Sequence, residues 1–390
     1  MVSLERNALH TEPERHTLFS PLTIRGLTLK NRIAISPMCM YSAKDGLPED
    51  FHLVHLGRFA LGGAGLVFVE ATAVSERGRI THGCLGLWND EQAANFKKIT
   101  EFMHAAGSAV GIQLSHAGHK GSSQRPWDGG GPLTSVDVES RAEDPWEPIG
   151  VFAQPFDSGW TTPEQMSRAD IEEAIGSFAA AARRADEAGF DVVEIHCAHG
   201  YLLHSFLSPL SNHRSDQYGG DLTGRMRFPL DVLQAVRDAW PQSKPLFIRI
   251  SSVDGIDVGW SIEDSVKFSR AAKEIGVDLI DCSSGGMKLE KHQNLLAREP
   301  GFHLPYAERV KRDVEIATIA VGLIRSAQQA DEIIAKGQAD LVSIAREALF
   351  NPNWANEAAL KLQGAEAWSR WPEQFGWWLM RRARQQRDQY

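Results

Sequence analysis

The feature that most restricts how this chain can fold is a recurring unit. A short, β-branched apolar run breaks off into polar residues, and a helix-compatible stretch follows. Residues 191 to 206 show it best. Asp191 to Ile195 follows the helix stop Ala188-Gly189-Phe190 and gives way to His196, His199 and Tyr201. Such a run reads as a buried parallel strand. Further runs span Ile33 to Met38, Leu66 to Val74, Ala109 to Leu114, Pro245 to Ser251, Leu279 to Ser284, Ile316 to Val321 and Asp340 to Ala345. Helical stretches fall at His52 to Leu61, Glu91 to Ala106, Ile171 to Ala188, Glu263 to Ile275 and Ala327 to Lys336. Roughly eight strands is the number at which a parallel sheet closes on itself, so the expectation is an α/β chain forming a single (β/α)8 barrel. A doubly wound sheet would carry a glycine fingerprint after strand one, where Pro37-Met38-Cys39-Met40-Tyr41 stands instead.

Two stretches break the rhythm. Lys120 to Met166, after the third strand, is rich in Gly, Pro and Trp and reads as a lid or wall over the strand ends. Residues 367–390 hold Trp368, Trp371, Trp377 and Trp378 followed by Arg381, Arg382 and Arg384. So much aromatic surface is expected to pack on its own barrel or, the favoured reading, on a neighbouring subunit in a homodimer or homotetramer. Residues 1–16 read as a flexible lead-in and 17–366 as the barrel. A net charge of -9 argues against nucleic acid as a partner. No apolar run is long enough to span a bilayer, and no secretory signal opens the chain. Cys39, Cys84, Cys197 and Cys282 lie far apart and form no Cys-x-x-Cys pair, which fits a reducing cytoplasm.

In a barrel the strand C-termini converge, bringing together Cys39, Tyr41, Glu70, Ala71, Gln113, His196, His199, Tyr201, Arg249, Gly322 and Arg346. A lone histidine is more often a capping or packing residue. Two imidazoles and a phenol at one strand end, however, suit a site that binds a carbonyl oxygen and delivers a proton. The set is poor for hydrolysis, with no Ser on a strained Gly-x-Ser-x-Gly turn. It suits a flat heterocycle: Gln113 can satisfy a ring amide edge and Arg249 can stabilise negative charge on a reduced ring. Loops after strands seven and eight of such barrels bind phosphate, and here they hold Gly322 and Arg346.

The chain resembles the old yellow enzyme family of flavin-dependent ene-reductases, in the subgroup of thermophilic-like enzymes and xenobiotic reductase A. The likeness runs from about Phe19 to Trp378. It rests on Ser36-Pro-Met-Cys-Met-Tyr41, Val69-Glu-Ala-Thr72, Gly111-Ile-Gln-Leu114, Glu194-Ile-His-Cys-Ala-His-Gly-Tyr201, Asn212-His-Arg-Ser-Asp-Gln-Tyr-Gly-Gly220 and Arg225. The resemblance implies bound FMN, with Pro37, Met38, Cys39, Ala71, Gln113 and Arg249 along its ring and Val321, Gly322, Ala345 and Arg346 at its phosphate. It implies His196 and His199 on the substrate carbonyl, Tyr201 as proton donor, Tyr41 assisting, and Cys39 tuning the flavin potential. NADPH or NADH would be the reductant, and enone-type small molecules the substrates. Trp378 and Arg381 are candidates for entry into a neighbour's site. One departure is Ala345, where the family often has Gly. A second is a tail that continues to Tyr390. The rival readings are a metal-dependent barrel hydrolase using His116, His119, His196 and His199, and a barrel that binds without catalysing. The first lacks acidic ligands at metal spacing, so no metal is expected.

Overall fold

The computed structural model describes residues 17–288 and 298–387, and the lead-in expected at 1–16 lies outside them. Eight parallel strands close into a barrel in sequence order. They are β1 (Ile33–Ile35), β2 (Leu66–Ala73), β3 (Ala109–Ser115), β4 (Val192–Cys197), β5 (Leu246–Ser251), β6 (Leu279–Ser283), β7 (Ala317–Ala320) and β8 (Leu341–Ile344). The ring is sealed by β8 pairing with β1, Val342 opposite Ile33 and Ile344 opposite Ile35. Around it lie α1 (Asp50–Leu61), α2 (Asp90–Ala105), α3 (Arg168–Glu187), α4 (Leu222–Ala239), α5 (Ile262–Ile275), α6 (Leu304–Val314), α7 (Ala327–Ala335) and α8 (Trp354–Gln363), and α9 (Glu373–Arg387) follows.

Local chemistry sets the element ends. Helix α3 opens on a reciprocal cap, Ser167 N donating to Asp170 Oδ2 at 2.7 Å and Asp170 N to Ser167 Oγ at 3.2 Å. Helix α5 repeats this with Ser261 and Asp264 and stops at Gly276, φ 106°. Strand β1 ends at Ile35 rather than Met38, because Pro37 has no N–H to give the ladder. Strand β4 is longer than its apolar run and carries His196 and Cys197 inside the sheet. Helices α4 and α6 were not expected from the pattern. Pro229 sits inside α4, where burial of Phe228, Val232, Leu233 and Val236 outweighs the lost backbone bond.

The lower end of the barrel is apolar. Leu66, Phe68, Val192, Phe247, Leu279 and Leu341 fill it, and the antiparallel pair Leu22–Ile24 with Leu27–Leu29 closes it by inserting Leu29. Outside the strands, Phe96, Phe178, Phe190, Phe228, Trp240 and Phe268 lock the helices on, each worth roughly 2–3 kcal/mol of burial. The Lys120 to Met166 stretch has structure of its own. It holds a helix at Ser135–Arg141, a strand pair of Ile149–Gly150 with Glu164–Gln165, and an ion network in which Arg125 pairs with Glu143 and Arg141 with Asp128, Asp137 and Glu143. The tail's aromatics are only partly covered: Trp368 and Trp371 are half-buried, whereas Trp377 and Trp378 on α9 are 47% and 66% exposed. Among the described residues no helix is long and apolar enough to cross a membrane.

Candidate active site

The site is assembled at the end of β4. His196 lies in the strand opposite Arg249 of β5, and the chain then turns through His199, whose φ of 59° is rare for a residue with a side chain. That backbone is held from three sides. His199 N donates to Ser251 Oγ at 2.9 Å, Lys120 Nζ donates to His199 O at 2.8 Å, and a Cβ on Gly286 would lie 2.1 Å from His199 Cα. The result is a fixed cluster. His199 Nδ1 is 3.4 Å from His196 Nε2, and His199 Nε2 shares a hydrogen bond of 2.7 Å with Ser283 Oγ. The Tyr201 ring meets His196 edge-on with centroids 5.1 Å apart. Burial, reinforced by the Arg249 charge, holds both imidazoles well below the usual histidine range, so both are neutral at pH 7. Burial likewise pushes the Tyr201 phenol up, leaving it protonated, and lowers Lys120 to about 8.

The facing wall is the loop after β1. Tyr41, at φ 49°, is the second strained residue of the mouth. A register shift in β2 between Val69 and Ala71 turns Glu70 out of the ladder and toward this loop. Glu70 Oε2 accepts from Met40 N at 2.8 Å and Tyr41 N at 3.4 Å, while buried His52 Nε2 stands 3.5 Å from Glu70 Oε1. Arg125 Nε donates to Tyr41 O at 3.1 Å, and a Cβ on Gly83 would lie 2.2 Å from that oxygen. Cys39, Tyr41 and Tyr201 pack together against Ile80, Cys84 and Ala117. Burial, then the nearby Glu70, pushes Cys39 well up, so it is a thiol. Cys39, Tyr41, His196, His199 and Tyr201 therefore line one mouth.

Its floor is a ring of polar side chains. Gln113 Nε2 donates to Glu194 Oε1 at 2.7 Å, and Arg249 Nε lies 3.3 Å from Asp281 Oδ2 in an ion-pair contact without hydrogen-bond geometry. Part of the Arg249 charge is thus spoken for by Asp281, which the sequence reading did not anticipate. Glu194 Oε2, Arg249 Nε, Asp281 Oδ1 and His196 Nδ1 are buried without a hydrogen-bond partner among the described residues. Each such atom costs about 1–3 kcal/mol. A mouth carrying several of them suits a ligand with a polar edge.

On the other side β7 and β8 end in backbone rather than side-chain features. Gly322 has φ 108°, and a Cβ there would sit 3.1 Å from His303 Nδ1 and from the Phe302 ring, so only glycine fits without displacement. Val321 is buried beside it. Ala345, at φ -117°, needs no glycine; its carbonyl accepts from Ala348 N at 2.9 Å and Leu349 N at 3.1 Å, opening a one-turn helix at the exposed Arg346. Pro37 and Met38 are half-buried, and Ala71 is buried as the register partner of Gln113. Trp378 and Arg381 do not reach this mouth: α9 begins beside Lys30, Gly63 and Phe102 at the opposite end, and Arg381 lies over the Trp377 ring at 4.6 Å. His116 and His119 are taken up in structure, His116 Nδ1 accepting from Gly118 N at 3.1 Å and His119 Nε2 bonding Gly200 O at 3.0 Å. No cluster of three metal-ligating side chains occurs among the described residues. Lys120, His52, Ser251 and Ser283, which position the site, were not singled out from sequence. Ser251 and Ser283 at the last positions of their strands were the available signal.

Residues 17–364 match the family described as NADH:flavin oxidoreductase / NADH oxidase. The chain belongs to that family, the old yellow enzymes. This family member is 46% identical over 347 residues to the NADPH dehydrogenase of Geobacillus sp. (strain WCH70), covering 88% of this chain and 94% of that protein. It is 44% identical to the NADPH dehydrogenase of Bacillus subtilis (strain 168) over 88% of this chain and 95% of that one. Among solved structures, morphinone reductase shares the fold with a TM-score of 0.72 at 24% identity, covering 89% of this chain and 90% of that one. A 2-naphthoyl-CoA reductase complex has a TM-score of 0.78 at 23% identity, covering 88% of this chain and 52% of that one. The old yellow enzyme described here is an FMN-dependent oxidoreductase with a nicotinamide nucleotide as reductant.

Proposed function

We propose that the enzyme uses NADPH to reduce the C=C bond of α,β-unsaturated carbonyl compounds, with related nitro compounds as further substrates. The observation that carries this is the neutral pair His196 and His199, 3.4 Å apart, with the Tyr201 phenol against His196. Neutral imidazoles donate to a carbonyl oxygen without the charge that would favour an anion, and the polarised carbonyl leaves the β-carbon electron-poor. Bound FMN would supply the hydride chemistry that connects the nicotinamide to the β-carbon. Pro37, Met38, Cys39, Ala71, Gln113 and Arg249 would hold its ring, and Val321, Gly322, Ala345 and Arg346 its phosphate. The unpartnered polar atoms of the floor and the glycine-only turn at Gly322 support that assignment.

Tyr201, protonated at neutral pH, delivers its proton to the α-carbon, with water as the alternative source. Tyr41 supports the carbonyl, held in place by Glu70 and Arg125. Cys39, a neutral thiol, tunes the flavin potential. The NADPH preference follows the names of the relatives. The exposed Trp377 and Trp378 favour a homodimer or homotetramer in which Trp378 and Arg381 meet a neighbour's site, and the cytoplasm is the compartment proposed. The test is anaerobic turnover of cyclohexenone by the FMN-loaded protein with NADPH. Cyclohexanone should form one for one with NADPH consumed. NADPH oxidation with no saturated product would overturn the proposal.

A further inference from the structure

The barrel floor holds two carboxyls and one guanidinium, all buried: Glu194, Asp281 and Arg249 are 0%, 1% and 8% exposed. Two unscreened negative charges beside one positive charge are costly in so dry a place. Geometry decides which carboxyl keeps the cation. Asp281 faces Arg249 across the β5 and β6 ladder with Oδ2 at 3.3 Å from Nε. Glu194, one strand further, has no cation within ion-pair distance among the described residues; its contact is the Gln113 amide at 2.7 Å, and Oε2 has no partner.

We infer that Glu194 is a positioning residue that stays a neutral acid and, through its hydrogen bond to Gln113, sets which end of that amide faces the FMN ring. This rests on the proposed placement of Gln113 along the ring. A carboxylate could only accept, which would fix one Gln113 N–H on Glu194 and keep the amide oxygen turned away from Glu194, toward the ring. A neutral acid permits two arrangements: its carbonyl oxygen accepts from Gln113 Nε2, or its O–H donates to Gln113 Oε1 and turns the NH2 toward the ring. An oxidised ring edge offers an N–H that wants an acceptor, whereas a reduced one carries negative charge that wants a donor. Gln113 can serve both because the acid beneath it can donate as well as accept. No atom is transferred: the amide rotates and the carboxyl proton changes partner.

The groups around Glu194 point the same way. Burial pushes both Glu194 and Asp281 up, with Arg249 opposing the rise in each; the Arg249 contact at 3.3 Å belongs to Asp281, so the proton falls to Glu194. On its own strand Cys197 is a buried thiol and His196 a neutral imidazole, so neither supplies a compensating positive charge.

Infrared spectroscopy of the protein with and without FMN, together with photoreduction potentials of Glu194→Gln, Glu194→Leu and Gln113→Leu, tests the inference. The parent should show a protonated-carboxyl C=O band, shifted in D2O and missing from Glu194→Gln. Glu194→Gln, a neutral group that also donates and accepts, should keep the parent potential. Glu194→Leu should lower it by about 30 mV for each tenfold loss in preference for reduced flavin, and FMN should stay bound. A large rise in potential in Glu194→Gln would mean that a charge had been removed, and would overturn the inference. So would absence of the band. If Gln113→Leu shifts the potential and Glu194→Leu does not, the role of Glu194 is wrong while the placement of Gln113 stands. If neither shifts it, both are wrong.

Discussion

The two ends of the barrel are made from the same strands and hold opposite contents. Below, Leu66, Phe68, Val192, Phe247, Leu279 and Leu341 fill the interior with apolar volume, sealed by a hairpin. Above, the same strands carry Gln113, Glu194, His196, Arg249 and Asp281, with four buried polar atoms lacking partners. Left-handed backbone occurs at both ends, at Arg25 and Glu315 below and at Tyr41 and His199 above. Tyr41 and His199 carry site side chains, and each is held by several independent contacts. One end is built to be stable, and that stability tolerates strained site residues and unmatched polarity at the other.

If that division holds, variants should separate cleanly. Phe247→Ala, at the sealed end, should lose about 3–5 kcal/mol of stability in denaturant unfolding while the folded fraction retains its turnover number. A large fall in turnover per folded molecule would mean that the ends are coupled. His196→Ala should do the reverse, reducing alkene turnover roughly 10²- to 10³-fold with FMN retained and a far smaller stability loss. Equal damage to stability would erase the contrast.

Two smaller effects sharpen the picture. His116 and His119, held at about 4 by burial, stay neutral in the fold but take up protons in the unfolded chain below its pKa of about 6.5. Stability should therefore be level above about pH 6.5 and fall as pH drops from there toward about 4, by up to about 1.4 kcal/mol per pH unit for each histidine. His116→Gln should flatten that slope in pH-dependent unfolding curves. Last, Arg125→Met frees the Tyr41 carbonyl and should raise KM for an enone several-fold, with kcat little changed if Tyr41 only binds. A drop in kcat alone would move Tyr41 into the chemical step.

Much of this was legible in the sequence, for physical reasons. Buried parallel strands read as continuous apolar runs, so the eightfold barrel could be counted, and strand ends exposed Cys39, Tyr41, His199 and Tyr201 as a group. His196 was assigned beyond the strand because an apolar run ends at Ile195, whereas the ladder to Arg249 continues through it. The aim of Glu70 depends on a bulge that no spacing shows. The pairing of Asp281 with Arg249 depends on register between strands distant in sequence. Pro229 hid α4, since local propensity said break and tertiary burial prevailed. Exposure of Trp377 and Trp378 could not be read either, because an aromatic segment looks the same whether it covers its own barrel or a neighbour's.

The central claim is that His196 and His199 act together as neutral donors over the flavin, and the most direct measurement is a phenol titration. Perturbation of the FMN absorption by p-hydroxybenzaldehyde should be followed in the parent protein and in His196→Ala/His199→Ala at pH 8. The account predicts that both bind FMN stoichiometrically and that the double variant binds the phenol at least about tenfold more weakly, as expected for loss of hydrogen bonds worth more than about 1 kcal/mol. Equal phenol affinity in the two proteins would contradict it.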